Sequence, residues 1–297
     1  MIEKLYPACK DYIWGGKRLK EKYRKSCEAD ICAESWELSF HNDGPTLLAN
    51  GNALRDVVSA RDLGENAAKF SFFPMLIKWI DAKDNLSVQV HPSDDYALKY
   101  ENSYGKTETW YIVEADEGAG IYLGFNRNVR QAEVEQAIAA NTLMDLLNFY
   151  QVKAGECYFI PSGTVHAIAK GCLICEVQQN SNLTYRVYDY DRRDKNGNPR
   201  ELHIEKALKV LDYKQYTPTI TRGSVVAQCE YFTLEKCTVV GEYNLPMDTS
   251  SFRCVIAVAG QGEINGKPLQ AGDSYFISAY ETDVVLRGNL EILIAKV

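Results

Sequence analysis

Four histidines occur in the 297 residues, His41, His91, His166 and His203, so any metal or acid–base site built on histidine must draw on them. Two stand in patterns that could do chemistry. The segment Asn85-Leu86-Ser87-Val88-Gln89-Val90-His91-Pro92 alternates, with Leu86, Val88 and Val90 on one face of a strand and Ser87, Gln89 and His91 on the other. In Gly105-Lys106-Thr107-Glu108-Thr109-Trp110-Tyr111-Ile112-Val113 the same period of two puts Lys106 and Glu108 on one face. Further on, Ala154-Gly155 turns into an aromatic strand, Pro161 and Gly163 make a tight corner, and His166 opens the next strand. Gln89, His91, Glu108 and His166 together form a nitrogen and oxygen ligand set suited to one divalent transition metal, and Zn²⁺, one per chain, is the expected ion. Three neutral ligands and one carboxylate would leave that ion with net positive charge, able to polarise a hydroxyl or carbonyl oxygen or to stabilise an anionic intermediate. A polar interior without metal is the bland alternative, and it would leave Glu108 and two histidines facing one another unpaired.

The elements that must position these groups are mostly strands. β-branched and aromatic segments dominate, and helical patterns are confined to Ala53–Asp62, Ser93–Glu101, Val129–Leu147 and Glu201–Val210. Pro92-Ser93-Asp94-Asp95 supplies a Ser cap and early acids to the second of these helices. Aligning Ala154-Gly155-Glu156-Cys157-Tyr158-Phe159-Ile160 with Ala271-Gly272-Asp273-Ser274-Tyr275-Phe276-Ile277 reveals an internal repeat at an offset of 117, and Gly171 then falls on Gly288. Pro161, Gly163, His166 and Glu176 fall on Ser278, Tyr280, Asp283 and Leu293, so the second copy keeps the strand frame and loses the chemistry. A polar, turn-rich stretch from Asp191 to Pro199, followed by Tyr213 to Thr221, marks the approach to a boundary. The expected division is a catalytic domain with helical additions over residues 1–213 and a degenerate β domain over 214–297.

Composition narrows the function classes. The chain is 46% hydrophobic and 25% charged, ordinary globular values, and no apolar stretch approaches the ~18 residues of a membrane span. A net charge of −7, without a dense basic run, argues against nucleic acid as a partner. No secretory signal is visible at the start, and nine scattered cysteines fit reduced thiols, so a cytoplasmic location is expected. Cys172 and Cys175 sit on a strand-like run that points them to opposite faces, which favours two core thiols over a zinc knuckle.

The corner from Gly155 to His166 resembles the second cupin motif, which implies a mainly β fold: a double-stranded β-helix, or jelly roll, whose mouth commonly holds a metal, here followed by a second, degenerate cupin-like domain and with a few short helices. Four motifs in order resemble the type I mannose-6-phosphate isomerases, in their short bacterial form: Ser87-Val88-Gln89-Val90-His91-Pro92, Gly105-Lys106-Thr107-Glu108, Pro161 to His166, and Glu176 to Asp189. Trp14-Gly15-Gly16 and Glu34-Ser35-Trp36-Glu37 join the match. The resemblance implies reversible conversion of mannose 6-phosphate to fructose 6-phosphate through an enediolate, which needs an electrophile for the oxyanion and a base near C2. It also implies roles for particular residues. Arg186 is the cation expected to face the enediolate oxygens, Glu176 a proton-handling carboxylate, and Lys106 and Ser87 substrate contacts, with the C2 base open between Glu176 and Lys106. Arg192 is expected to chelate the phosphate and Trp14 to wall the substrate site.

Two other classes share these residues: a metal cupin oxygenase holding iron, and a non-catalytic sugar-phosphate sensor. Gln89 as a fourth ligand speaks against the first, and Glu176 and Arg186 would be superfluous in the second. Among the remaining residues, His41 reads as a loop histidine near the pocket edge, His203 as solvated, Trp36 and Trp110 as core or pocket wall, and Arg193, Asp194 and Lys195 as an exposed charged turn. Asn182-Leu183-Thr184 is formally a glycosylation sequon that a cytoplasmic chain would not use. The sequence leaves the oligomeric state open.

Overall fold

Alternation along two central strands shows how the layers stack. In Cys172–Gln179, Cys172 and Ile174 join a core on one side, while Leu173, Cys175 and Val177 join a separate core on the other. Met75–Asp81 repeats the pattern, with Met75, Ile77 and Trp79 on the second side and Ile80 on the first. Both strands are therefore buried on both faces, unusual for an antiparallel pair and possible only in the middle of three layers. The two thiols of Cys172 and Cys175 are free and point into different cores, as expected.

The computed structural model describes residues 1–193, 197–218 and 223–297. Asp194 and Lys195, and the residues 219–221 within the expected boundary, lie outside the described residues. Among the described residues, the middle layer is a six-stranded sheet ordered Ala8–Lys10, Glu34–Leu38, Met75–Asp81, Cys172–Gln179, Glu108–Ala115 and Cys157–Ile160. Facing it is a five-stranded sheet ordered Tyr185–Tyr188, Val88–Val90, His166–Ile168, Gly120–Phe125 and Leu147–Gln151. The two form a jelly roll, with Trp110, Ile112, Ile121, Leu123, Ile168 and Ile174 packed between them. On the far side of the six-stranded sheet, Phe252, Cys254, Ile256, Phe276 and Leu293 close the other core. Each such apolar side chain, fully buried, contributes about 1.5–3 kcal/mol.

Cys254, Ile256, Phe276 and Leu293 belong to a seven-stranded sheet, six of whose strands lie within residues 225–296, which has its own core around Val255, Ala257, Ile264 and Leu286. The first strand, Ile2–Lys4, pairs with Ser274–Ile277, so the N-terminus is woven into the C-terminal sheet across the expected 213/214 division. The internal repeat is structural. Strands Cys157–Ile160 and Ser274–Ile277 coincide at the offset read from the sequence, and the glycines that open them, Gly155 and Gly272, have φ of 89° and 94°. Where the first copy carries Glu176, the second carries the fully buried Leu293.

The helices are shorter than their patterns suggested. Ala53–Asp62 is two separate turns, Leu54–Val57 and Ala60–Leu63, because Ser59 adopts an extended conformation and forms a capping box with Asp62 that starts a new helix. Val129–Leu147 holds a helix only over Gln131–Ala139; Asn141, at φ 59°, ends it, and a 3-10 turn at Leu143–Leu146 leads into the strand Leu147–Gln151. The other two shrink to Asp94–Tyr100, where Ser93 makes no side-chain cap bond, and Ile204–Val210. No helix among the described residues is long and apolar enough to cross a membrane.

Candidate active site

Strand register assembles the site from both sheets. On the five-stranded sheet, Gln89 lies opposite His166 on one side and Arg186 on the other, so three polar side chains form a row. On the six-stranded sheet, Glu176 lies opposite Lys78 on one neighbour and Trp110 on the other, and Glu108, two residues before Trp110, shares its face. The corner before His166 is closed by Gly163, at φ 86°, whose N–H donates to the His91 carbonyl at 2.8 Å and so ties two of the expected ligands together.

The ligand atoms converge. His166 Nε2 is 3.3 Å from Glu108 Oε1, and His91 Nε2 is 3.7 Å from Glu108 Oε2. Donors about 2.0–2.1 Å from a tetrahedral ion would be separated by about 3.3–3.4 Å, so the spacing fits a zinc-sized cation. Each histidine donates its Nδ1–H to a backbone carbonyl at 2.8 Å, His91 to Leu183 and His166 to Thr164, which leaves the Nε2 lone pairs pointing inward. The Gln89 amide nitrogen is 3.3 Å from His166 Nε2, and a half-turn of the amide would present its oxygen to the same point. His91, Glu108 and His166 are at most 1% exposed. Neither Glu108 oxygen has an aligned hydrogen-bond donor, although Lys106 Nζ is 2.5 Å from Oε2. That orphaned buried carboxylate is what a metal ligand looks like without its ion.

Charge counting agrees. Among the described residues, Glu34, Glu108 and Glu176 are buried and the buried cations in ion-pair contact with them are Lys78 and Lys106. One negative charge in excess in a low-dielectric interior is costly, and a dication would reverse the sign. The titrations follow from the same crowding. Burial, reinforced by Lys106, depresses both histidines, His166 to about 4, so both are neutral donors at pH 7. Burial and then the Glu176 charge push Glu108 up, and Lys106 offsets only part of that shift. For Lys106, burial pulls downward but Glu108 and Glu176 outweigh it, and the amine stays protonated. For Glu176, burial pulls upward, but Lys106, Lys78 and the Trp110 N–H outweigh it and keep the carboxylate ionised.

Above this cluster opens a cavity of ≈ 300 Å³. Of the residues expected to serve catalysis or substrate, Trp14, Ser87, Lys106, Glu176 and Arg186 line it. Gln89 also lines it, whereas His91, Glu108 and His166 lie beneath its floor.

The geometry can be set beside known proteins. Residues 2–118 match the family model described as phosphomannose isomerase type I, catalytic domain, and residues 222–297 match that of the mannose-6-phosphate isomerase cupin domain. A mannose-6-phosphate isomerase of Streptococcus mutans is 38% identical over 298 residues, spanning 95% of this chain and 93% of that protein. The chain belongs to the type I phosphomannose isomerases. Mannose-6-phosphate isomerase ManA of Bacillus subtilis is 33% identical over 97% of this chain and 96% of its own length. The crystal structure of a mannose 6-phosphate isomerase from Bacillus subtilis superposes with a TM-score of 0.89 at 33% identity, covering 100% of this chain and 99% of that one. Family and cupin fold are thus as the motifs implied.

Several site residues escaped the sequence reading. Lys78 and Glu34 line the cavity, with Lys78 Nζ 3.6 Å from Glu34 Oε2 and 3.9 Å from Glu176 Oε1. A lysine inside the wholly buried strand Met75–Asp81 was the available signal. The tryptophans orient carboxylates: Trp36 Nε1 donates to Glu34 Oε2 at 2.7 Å and Trp110 Nε1 to Glu176 Oε2 at 2.8 Å. Arg200 lines the cavity; Arg192 is not among its lining residues, and both guanidiniums hold the carboxylate of Asp189. His203, expected to be solvated, is instead half-buried and accepts the backbone N–H of Arg186 at 3.2 Å, because the loop before Ile204–Val210 folds back onto the strand of Arg186. His41 is half-buried, edge-on to Trp36, and does not line the cavity. Asn182 and Thr184 of the sequon do.

Proposed function

We propose that this protein interconverts mannose 6-phosphate and fructose 6-phosphate with one Zn²⁺ held by Gln89, His91, Glu108 and His166, in the cytoplasm. The observation that carries the reading is the buried, inward-facing donor set at the base of a cavity walled by the carboxylates of Glu34 and Glu176 and by several cations. Bound zinc would supply a Lewis acid for oxygen charge that develops at C1 and C2.

This chain's residues account for the rest of the chemistry. Glu176 Oε2 is tied to Trp110, while Oε1 has two lysines at 3.6 and 3.9 Å, beyond hydrogen-bonding distance, and so is free to face the cavity. An ionised Glu176 can take the C2 proton and return it to C1, and of the two candidate bases it is the one we propose, because Lys106 is held protonated. Lys106 can then donate to a sugar oxygen. Arg186 is steadied by Ser87 Oγ at 3.2 Å and the Glu201 carbonyl at 2.8 Å, and it lies in register beside Gln89, where it can face the enediolate oxygens. Arg200 can take the phosphate in a bidentate grip, with Arg192 behind it on the shared Asp189. Trp14 walls the sugar.

A coupled isomerase assay across several hexose 6-phosphates, with chelator and with zinc restored, tests this reading. Turnover should favour mannose 6-phosphate, stop with chelator and return with zinc. Tight binding of mannose 6-phosphate without turnover by the zinc-loaded protein would point to a sensor instead.

A further inference from the structure

Outside the active site the structure gathers three thiols. One sulfur each from Cys9, Cys27 and Cys32 lies within 4.8 Å of the other two. The sequence hides this grouping, because Cys9 reaches it through strand pairing: Cys9 sits in Ala8–Lys10, opposite Ser35 of the next strand. Cys32 is fixed beside it by two backbone bonds, Cys32 N–H to the Gly16 carbonyl at 2.9 Å and Ala33 N–H to the Lys10 carbonyl at 2.7 Å. Cys27 and Cys32 bracket four residues, a spacing found in zinc-binding loops. Sulfurs about 2.3 Å from a tetrahedral ion stand about 3.8 Å apart, so the group needs only a small contraction to close on a cation.

The thiols' partners are one another and nearby carbonyls, Cys9 donating to Ser26 at 3.5 Å, Cys27 to Ile31 at 3.2 Å and Cys32 to Glu34 at 3.5 Å. All three are free. Cys9 and Cys27 line a separate cavity of ≈ 370 Å³ that also presents Asp11 and Glu28 and shares no lining residue with the active site. The hydrogen bond between Cys32 and Cys9 holds the Cys9 thiol below its ordinary range and pushes the Cys32 thiol above its own, so the two together keep a proton until a cation replaces it.

We propose that Cys9, Cys27 and Cys32 form a second metal site, a trithiolate centre for one thiophilic cation of the Zn²⁺ class, distinct from the catalytic site and with its fourth position open to water or a carboxylate at the cavity mouth. Binding replaces three S–H bonds by three metal–sulfur bonds and releases three protons to solvent. The site is a clamp on the substrate cavity. Tyr12 and Trp14 follow Cys9, Glu34 follows Cys32, and all three line the active-site cavity. Tying the thiols together therefore fixes the segment that forms one wall of that cavity.

Cobalt separates this site from the catalytic one, whose donors include no sulfur. The full-length reduced protein is titrated with Co²⁺ while the near-ultraviolet thiolate-to-cobalt charge-transfer absorption is followed. The expected result is a band that saturates within two equivalents in the wild type, whose catalytic site also takes cobalt, and at one equivalent in Glu108→Gln, and that disappears in both Cys9→Ser and Cys27→Ser. With zinc at about 100 times its dissociation constant for the thiolate site, the wild-type thermal midpoint should exceed that of Cys27→Ser by roughly 5 °C. Absence of the band from the wild type, or its survival in both serine variants, overturns the proposal. So does a disulfide among the three cysteines in protein kept in a reduced glutathione buffer, read from its mass without reductant.

Discussion

Replacing Trp110 by Phe removes one defined interaction from the proposed base. The indole N–H donates to Glu176 Oε2 at 2.8 Å, and both side chains are buried. Hydrogen bonds to charged groups contribute about 1.5–3 kcal/mol, and this one favours the ionised carboxylate. Because about 1.4 kcal/mol corresponds to one pKa unit, losing the bond should raise the Glu176 pKa by about one to two units. The sign follows from the base's role: Glu176 works when ionised, so its activity is lost as pH falls through its pKa, and a higher pKa moves that loss to higher pH. The assay is kcat/KM for mannose 6-phosphate against pH in zinc-loaded wild type and Trp110→Phe, with zinc content measured in both. Phenylalanine keeps a ring near His166, whose centroid is 5.3 Å from that of Trp110, so metal binding should survive. The acidic limb should move up by about one to two pH units while the plateau changes less. An acidic limb that stays in place, with zinc intact, refutes Glu176 as the base.

Other substitutions separate the proposed roles. Arg186→Ala should keep zinc and lower kcat by about 100-fold, the scale of losing one oxyanion donor, and an unchanged kcat would remove Arg186 from the chemistry. Arg200→Ala should raise KM for mannose 6-phosphate about tenfold or more with a smaller effect on kcat, whereas Arg192→Ala should act more on stability; steady-state kinetics and thermal melts read the two. Burial raises the pKa of Asp189, but Arg200 and Arg192 outweigh it and hold the carboxyl below its ordinary value. Its contribution to stability is thus present above about pH 4 and lost as pH falls further, so Asp189→Asn should lower the melting midpoint at pH 7 and narrow its gap to wild type in acid. Gly163→Ala puts a side chain at φ 86° and a Cβ 3.0 Å from the Val210 carbonyl, which should cost about 1–2 kcal/mol in denaturant unfolding and weaken zinc binding by loosening the corner between His91 and His166.

Local pattern carried much of this site. Period two alone placed Gln89 and His91 together and put Lys106 beside Glu108, and the Pro161–Gly163 corner located His166. The repeat foresaw a second sheet without ligands, and the structure fills the position of Glu176 there with a core leucine. What escaped depends on register between distant strands. Lys78 reaches Glu176 only because Met75–Asp81 pairs with Cys172–Gln179, and Cys9 meets Cys32 only because Ala8–Lys10 pairs with Glu34–Leu38. Helix lengths were overread where a single residue overrode periodicity, Ser59 by capping a new turn and Asn141 by adopting positive φ. Arg200 was hidden by a turn-rich stretch whose charges look alike in sequence and differ only in which of them faces the cavity.

The most direct test of the metal-centred account is the turnover of Glu108→Gln measured together with its zinc content. The variant removes the one anionic ligand and leaves the fold, the cavity and the thiol cluster in place. The account predicts that zinc content falls by one ion per chain and that conversion of mannose 6-phosphate to fructose 6-phosphate is lost with it. A Glu108→Gln protein that lacks this zinc and still turns over at the wild-type rate would contradict it.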